Sequence, residues 1–267
     1  MQKKVSIIMG IYNCADTLEE AIESILKQTY GEWELIMCDD GSQDDTYKIA
    51  MQFSKQYGNI CTFQNEKNMG LNYTLNKCLE KANGEYIARM DGDDISLPTR
   101  LEKEVAFLNS HKEYAIVSTN MIYFDEQGEW GESNMLAFPE KADLIKGTPF
   151  CHAPCMVRRE AYEKVKGYSV EKKLLRVEDY HLWFKMYSAG YKGHNLQEAL
   201  YKMRDDRNAI QRRKFKYRIN EAYVKWLIMK AFSLSVFNYL YVLRPLIVGL
   251  LPQSIYEYLH KKRVKQV

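Results

Sequence analysis

Glu85-Tyr86-Ile87-Ala88-Arg89-Met90-Asp91-Gly92-Asp93-Asp94 is the segment that decides the fold. Residues 85–90 read as a strand, and that strand runs without a break into three carboxylates within four residues. Like charges at this spacing repel, so the cluster calls for a cationic partner. The strands of an open α/β sheet deliver such residues to the edge where ligands gather, outside their carboxyl ends.

The flanking sequence supplies the rest of that sheet. Val5–Ile11 is a near-continuous apolar run, the pattern of a strand buried on both faces. A second run at 33–38 ends in Asp39-Asp40-Gly41-Ser42, and a short third covers 60–63. Helical spacing fills the gaps. Asp16 with Glu19 gives a capping-box-like start, followed by Leu18, Ala21, Ile22, Ile25 and Leu26. A helix is expected over 45–57, and another on Leu71, Leu75, Cys78, Leu79 and Ala82, stopped by Gly84. Pro98 suits the first turn of a helix carrying Leu101, Val105 and Leu108. The alternation predicts an α/β fold with a mainly parallel, Rossmann-like sheet flanked by helices.

Composition sets the outer bounds. With 267 residues, 46% of them hydrophobic and 27% charged, the chain can bury a sizeable core. Sparse Gly (14) and Pro (6) exclude collagen-like and low-complexity classes. Six cysteines (14, 38, 61, 78, 151 and 155) contain no C-x-x-C pair, and no second Cys/His pair completes a zinc site around Cys151 and Cys155. A reduced cytosolic interior is expected, and Met1 to Lys4 carries no secretory signal. The net charge of +3 hides an asymmetry. Residues 207–267 hold 13 Lys/Arg against 2 Asp/Glu, whereas 1–206 hold 25 against 33. An acidic body with a basic tail points to an anionic surface as partner. Nucleic acid is not expected, because no helix-turn-helix, zinc finger or ribonucleoprotein motif is present.

The acidic motifs carry the chemistry. Asp, Gly and Ser are all turn formers, so Asp39-Asp40-Gly41-Ser42 reads either as an ordinary turn or as carboxylates that accept from a base or ribose. Phosphate-loop patterns are absent: there is no G-x-x-x-x-G-K-[ST], and no G-x-G-x-x-G after the first strand. An EF-hand is excluded, since Ile95 and Ser96 occupy the third ligand position and the required Gly. A few hard oxygen ligands at a strand end suit Mg²⁺ or Mn²⁺ shared with substrate phosphates. The bland alternative for Asp91-Gly92-Asp93-Asp94 is a solvated acidic turn leading into the helix at Pro98.

Taken in order, Val5-Ser6-Ile7-Ile8-Met9-Gly10-Ile11-Tyr12-Asn13, Asp39-Asp40-Gly41-Ser42, Asn68-Met69-Gly70-Leu71, Gly84-Glu85-Tyr86-Ile87, Asp91-Gly92-Asp93-Asp94 with Pro98, Arg100 and Leu101, and Glu178-Asp179 before Leu182-Trp183 resemble a family 2 glycosyltransferase with the GT-A fold, of the bacterial polysaccharide-synthesis type. The likeness spans about Lys4 to Arg204. Met9-Gly10 departs from it, standing where a Pro-Thr pair is common. The resemblance implies that Tyr12 and Asp40 hold the uracil and ribose of a UDP-sugar, with Asp39 in support. It implies that Asp91 binds ribose or reaches a metal through water, that Asp93 ligates Mn²⁺ or Mg²⁺ on the diphosphate, and that Asp179 is the general base. Arg204 matches a position that often carries a phosphate-facing basic residue. Asp179 would otherwise be a helix-stabilising acid, and Arg204 a solvated surface residue. His152 and His181 receive no role.

The tail adds a partner. Residues 215–232 alternate basic and apolar side chains at helical spacing, and 234–251 are strongly apolar but interrupted by Arg244 and Pro245. A spanning helix needs about 20 apolar residues. A surface-lying helix pair is expected instead, with Trp226, Tyr239 and Tyr241 near headgroups and Lys261-Lys262-Arg263 on anionic lipid. Packing on the body or in a homo-oligomer is the rival reading.

The sequence thus predicts a catalytic domain over 1–206 and a helical appendage over 207–267. The expected activity is inverting, metal-dependent hexosyl transfer from a UDP-sugar to a saccharide or lipid-linked acceptor. The expected place is cytoplasmic, peripheral at the inner face of the cell membrane. Two rivals stand beside it: a catalytically silent assembly partner of polysaccharide synthesis, and a metal-dependent nucleotidyltransferase. The latter would carry a Gly-rich loop with a basic residue after the first strand, and Tyr12-Asn13-Cys14-Ala15 is not one.

Overall fold

The computed structural model describes residues 4–205 and 215–250. Strands β1 (Val5–Ile11), β2 (Trp33–Asp39), β3 (Ile60–Gln64) and β4 (Tyr86–Arg89) lie parallel in the order β3-β2-β1-β4. Helices α1 (Ala15–Leu26), α2 (Thr46–Gln56) and α3 (Leu71–Lys81) connect them. The apolar runs become strands because both sheet faces are covered. Ile8, Ile36 and Ile87 enter one core with α3, while Ile7, Leu35 and Ala88 enter the other with α1. That split follows the two-residue side-chain period of a strand.

The second half extends the sheet as β4-β8-β6-β9-β5. Its elements are β5 (Ile95–Ser96), α4 (Arg100–Ser110), β6 (Ile116–Asp125), β7 (Gly128–Glu132), β8 (Met156–Arg158), α5 (Arg159–Val165), α6 (Glu178–Ser188) and β9 (Gly193–Arg204). Strands β6 and β9 pair in parallel, whereas β5, β7 and β8 each pair antiparallel with a neighbour. The fold is the expected α/β sheet, mostly parallel, with antiparallel pieces that close its second half. The twelve residues of β9 reach from the bottom of β6 to the edge strand β5, and so bring Arg204 to the acidic turn.

Three local expectations need correction. Asp16 does not cap α1: Cys14 is the N-cap and no side chain of the helix closes it. The Ala15 N–H donates to Asp44 Oδ2 at 3.2 Å instead, from the loop after β2. Gly84 does not stop α3, which ends at Lys81. A Cβ at Gly84 would stand 2.6 Å from the Ser6 amide nitrogen, so glycine is required there for close approach to β1. Pro98 lies outside α4, whose N-cap is Thr99; its carbonyl accepts from the Thr29 N–H at 2.9 Å.

The described residues of the tail carry helices α7 (Phe215–Ala231) and α8 (Tyr239–Gly249). Val224, Ile228 and Met229 of α7 are buried in the same core as Leu182, Trp183 and Met186 of α6. Helix α8 turns Val242 and Pro245 inward against α7. Among the described residues no helix is long and apolar enough to cross a membrane. The Lys261-Lys262-Arg263 cluster and the 206/207 boundary lie outside the described residues.

Candidate active site

The site is built where β1, β2 and β4 end. After β1 the chain must turn sharply, and Asn13 takes a left-handed φ of 47° to do so. Its side chain and backbone then sew the first loop to the second. Asn13 Oδ1 accepts from the Gln43 N–H at 2.8 Å, and the Asn13 N–H donates to Ser42 Oγ at 3.0 Å. The Cys14 N–H donates to Thr46 Oγ1 at 2.8 Å. Tyr12, just ahead of this knot, is 46% exposed and free to face a ligand.

Asp39 and Asp40 sit at the end of β2 and are both buried. Asp39 is fully engaged by its own turn. Its carboxylate accepts from the Gly41 and Ser42 amides at 3.2 and 3.0 Å, from Ser42 Oγ at 2.5 Å and from Gln64 Nε2 at 2.8 Å. Asp40 fastens the loop before α3, accepting from the Met69 and Gly70 amides, both at 2.8 Å, and from Asn65 Nδ2 at 2.9 Å. Two carboxylate oxygens offer about four acceptor sites, so Asp40 keeps capacity for one further donor. The turn thus serves as a brace between β2, β3 and α3, as well as a candidate contact.

The acidic turn after β4 is pressed against the first loop. A Cβ on Gly92 would lie 2.9 Å from Cys14 Sγ and 3.1 Å from Ile11 Cγ2, and the Gly92 carbonyl accepts from Thr17 Oγ1 at 2.9 Å. Glycine is what lets the flanking carboxylates approach the Tyr12 loop. The three acids then divide. Asp94 is buried and structural: its Oδ1 accepts from the Arg204 N–H at 2.8 Å, and burial with Asp91 and Asp93 beside it pushes its carboxyl well above the usual range. Asp93 is exposed at the surface. Desolvation by the surrounding protein, then the neighbouring Asp91, raise its carboxyl as well. Asp91 pairs with Arg89 at 2.6 Å, and its N–H donates to the Tyr201 hydroxyl at 3.2 Å.

Arg204 lies beside this turn. Its Nε donates to the Asp93 carbonyl at 3.0 Å, its guanidinium pairs with Glu20 at 2.7 Å, and it stacks 4.5 Å over the Phe124 ring.

Asp179 opens α6. The chain enters that helix through Arg176 at φ 67°, a conformation that a non-glycine residue adopts only under constraint. The entry places Glu178 and Asp179 together in the first helical turn. Asp179 Oδ1 accepts its neighbour Tyr180's N–H at 2.7 Å. Burial pushes the Asp179 carboxyl upward, while that backbone bond and the Arg89 charge pull it back. Burial, and then the same Arg89 charge, hold His152 well below its ordinary range, so that imidazole is neutral. His152 Nε2 lies 3.3 Å from the Tyr168 hydroxyl and its ring meets Trp183 edge-on.

Arg89 is therefore the residue that sequence reading missed. It was counted as part of a strand, yet it is 5% exposed, pairs with Asp91 and acts electrostatically on Glu178, Asp179 and Asp93. A basic residue two positions before an acidic triplet, inside an otherwise apolar strand, was the available signal. Its charge couples the acids of β4 to those of α6. Tyr12, Asp39, Asp40, Asp91, Asp93 and Arg204 gather around three adjoining loops, and Asp179 joins them through Arg89. Among the described residues no three His, Cys, Asp or Glu side chains form a ready-made metal cage. The donor set nonetheless fits a hard divalent cation that takes the rest of its oxygens from phosphate, since Asp93 and Asp91 crowd each other at the surface.

The sequence profile of "Glycosyl transferase family 2" matches residues 6–166. The chain is 48% identical to the EpsE protein of Bacillus subtilis (strain 168) over 98% of its own length and 94% of that protein's. It is 29% identical to the UDP-Gal:alpha-D-GlcNAc-diphosphoundecaprenol beta-1,3-galactosyltransferase of Escherichia coli, over 98% and 97% of the two chains. Its fold matches the GT-A fold of S. aureus TarS 1–349 in complex with UDP-GlcNAc, with a TM-score of 0.69 at 20% identity, over 92% of this chain and 71% of that one. The chain belongs to glycosyl transferase family 2.

Proposed function

We propose that the protein transfers a hexose from a UDP-sugar to a saccharide or lipid-linked saccharide acceptor, with inversion, at the cytoplasmic face of the membrane. The observation that carries this reading is the convergence of the Tyr12 loop, the Asp91-Gly92-Asp93 turn and the base helix α6 on Arg89 and the ends of β1, β2 and β4. Tyr12 and the remaining acceptor capacity of Asp40 take the uracil and ribose, and Asp39 holds their turn rigid. Asp91 is oriented by Arg89 toward the ribose, and Arg204 lies ready for a phosphate oxygen. Asp93 would hold Mn²⁺ or Mg²⁺, which would supply charge neutralisation to the leaving diphosphate. Asp179 accepts the proton of the acceptor hydroxyl. The acceptor oxygen bonds to the anomeric carbon as its bond to the diphosphate oxygen breaks, and UDP leaves from the opposite side. One displacement inverts the centre, so no second carboxylate nucleophile is needed.

Family membership speaks against the nucleotidyltransferase reading. The name of the E. coli relative, which specifies a UDP-galactose donor and a diphosphoundecaprenol acceptor, supports the donor and acceptor classes. The test is incubation with a panel of UDP-hexoses, Mn²⁺ and lipid-diphosphate saccharides, read by mass spectrometry. UDP release that rises with acceptor, together with a hexose-extended product, is expected. Release of pyrophosphate, or donor binding without turnover on any acceptor, would overturn the proposal.

A further inference from the structure

Among the described residues, seven of the sixteen exposed large hydrophobic side chains fall between positions 236 and 250. Leu240, Leu243, Ile247 and Leu250 form a stripe at helical spacing along α8, with Phe237 (80% exposed) at its start. Val242 and Pro245 face inward, so α8 is apolar on its exposed face as well as on the face it turns to the protein. An apolar surface of this size needs a partner. With 11 residues α8 is about 16 Å long and cannot span a bilayer.

Charge decides among the occupants. Among the described residues of the tail, apart from the buried Lys225, Lys216, Arg218, Lys230 and Arg244 stand against the single acid Glu221, and the sequence of 207–267 as a whole holds 13 basic residues against 2 acidic ones. A second copy would meet this face through a two-fold contact, which sets two net-basic α7–α8 pairs against each other. An anionic lipid surface instead complements both the apolar stripe and the charge.

Helix α7 links this face to the chemistry. Lys225 Nζ donates to the Ile145 carbonyl at 2.7 Å, and Asn220 Nδ2 donates to the Leu175 carbonyl at 2.9 Å, four residues before Asp179. Val170 and Leu175, on that same approach to α6, are also exposed.

We propose that α8 lies in the interface of an anionic bilayer with its Phe237–Leu250 stripe among the acyl chains, and that α7 ties this seat to the segment entering the Asp179 helix, so that docking presents the base to the membrane surface. The orienting half rests on the lipid-linked acceptor reading; the docking half does not, and it is tested with vesicles that contain no acceptor.

The experiment is co-sedimentation of the full chain with vesicles of 1:1 phosphatidylglycerol and phosphatidylcholine, and of phosphatidylcholine alone. Hydrogen exchange on the bound protein and sedimentation velocity without lipid accompany it. The chain should bind the anionic vesicles, release with salt and gain amide protection over 236–250 and 171–177. Leu240→Ser with Ile247→Ser should lower partition about a hundredfold, roughly tenfold per apolar side chain. UDP binding and melting temperature serve as the folding control, and Leu243→Ser gives a milder second variant. Unchanged binding in the double variant would overturn the docking face. So would equal, salt-insensitive binding to neutral vesicles, or a dimer in solution that the double variant dissolves. Protection confined to 236–250, without the 171–177 segment, would overturn the coupling to the base.

Discussion

Replacing Lys225 by Met should leave the protein as stable or more stable at neutral pH, and should erase a rise in stability under alkaline conditions. Lys225 is 1% exposed, on the inner face of α7, with the Tyr180 ring 5.7 Å away. Burial pushes its amine from 10.5 down to about 8. A shift of this size corresponds to roughly 3 kcal/mol favouring the neutral form. The unfolded chain keeps the ordinary value, so between about pH 8 and 10.5 it binds more protons than the folded one. The penalty is therefore fully present below pH 8 and fades as pH rises toward 10.5. Met preserves the aliphatic stem and removes that penalty. It also strips the Ile145 carbonyl of its donor, a loss of about 1–3 kcal/mol. The balance at pH 7 runs from no change to a gain of about 2 kcal/mol. Urea unfolding of parent and variant at pH 7 and pH 10 measures both terms. A variant that loses more than about 1 kcal/mol at pH 7, and still gains stability with pH as the parent does, would refute the reasoning.

Further outcomes follow from the acidic cluster. Asp93→Asn removes the charge best placed on the diphosphate, so metal-supported transfer should disappear and Mn²⁺ affinity should fall; retention of both would remove Asp93 as the ligand. Arg89→Met removes the cation that pulls the Asp179 carboxyl down, so the acid limb of the pH–rate profile should move to higher pH, and less so in Arg89→Lys; an unmoved limb would disconnect the two residues. Gly41→Ala adds a Cβ 2.9 Å from the Lys67 carbonyl carbon at φ +76°, so thermal unfolding should show a loss on the order of 1–3 kcal/mol. Wild-type stability in that variant would mean the turn can relax.

Much of this site is written in the sequence, because a buried parallel strand must be apolar and must deliver its polar residues where it ends. Val5–Ile11, Trp33–Asp39 and the run into Asp91 announce themselves that way. The direction in which a side chain points at those ends is not written there. Asp39 and Asp40 are chemically identical neighbours, and only the Gly41 turn and the Asn65–Gly70 loop direct one to its own turn and the other to α3. Of the later strands, β5 and β8 have two and three residues, too few for any period to show. In α7 the alternation of basic and apolar residues does not say which basic residue turns inward: Lys225 does, because the Ile145 carbonyl gives its amine a buried partner. Arg89 was hidden by its strand, its partner Asp91 being two residues away on the same side of the pleat.

The account stands on Asp179 as the base, and the most direct test is Asp179→Asn, measured by isothermal titration with UDP-sugar and Mn²⁺ beside a transfer assay. Asn keeps the size of the side chain and removes the proton acceptor, a change worth ~10²–10⁴-fold for a general base. Lost helix-dipole stabilisation of about 0.3–1 kcal/mol is too small to unfold the domain. Transfer should therefore fall by that factor while donor binding persists, since the proposed donor contacts lie at the ends of β1, β2 and β4. Near-normal transfer in the variant, or donor binding lost along with it, would contradict the account.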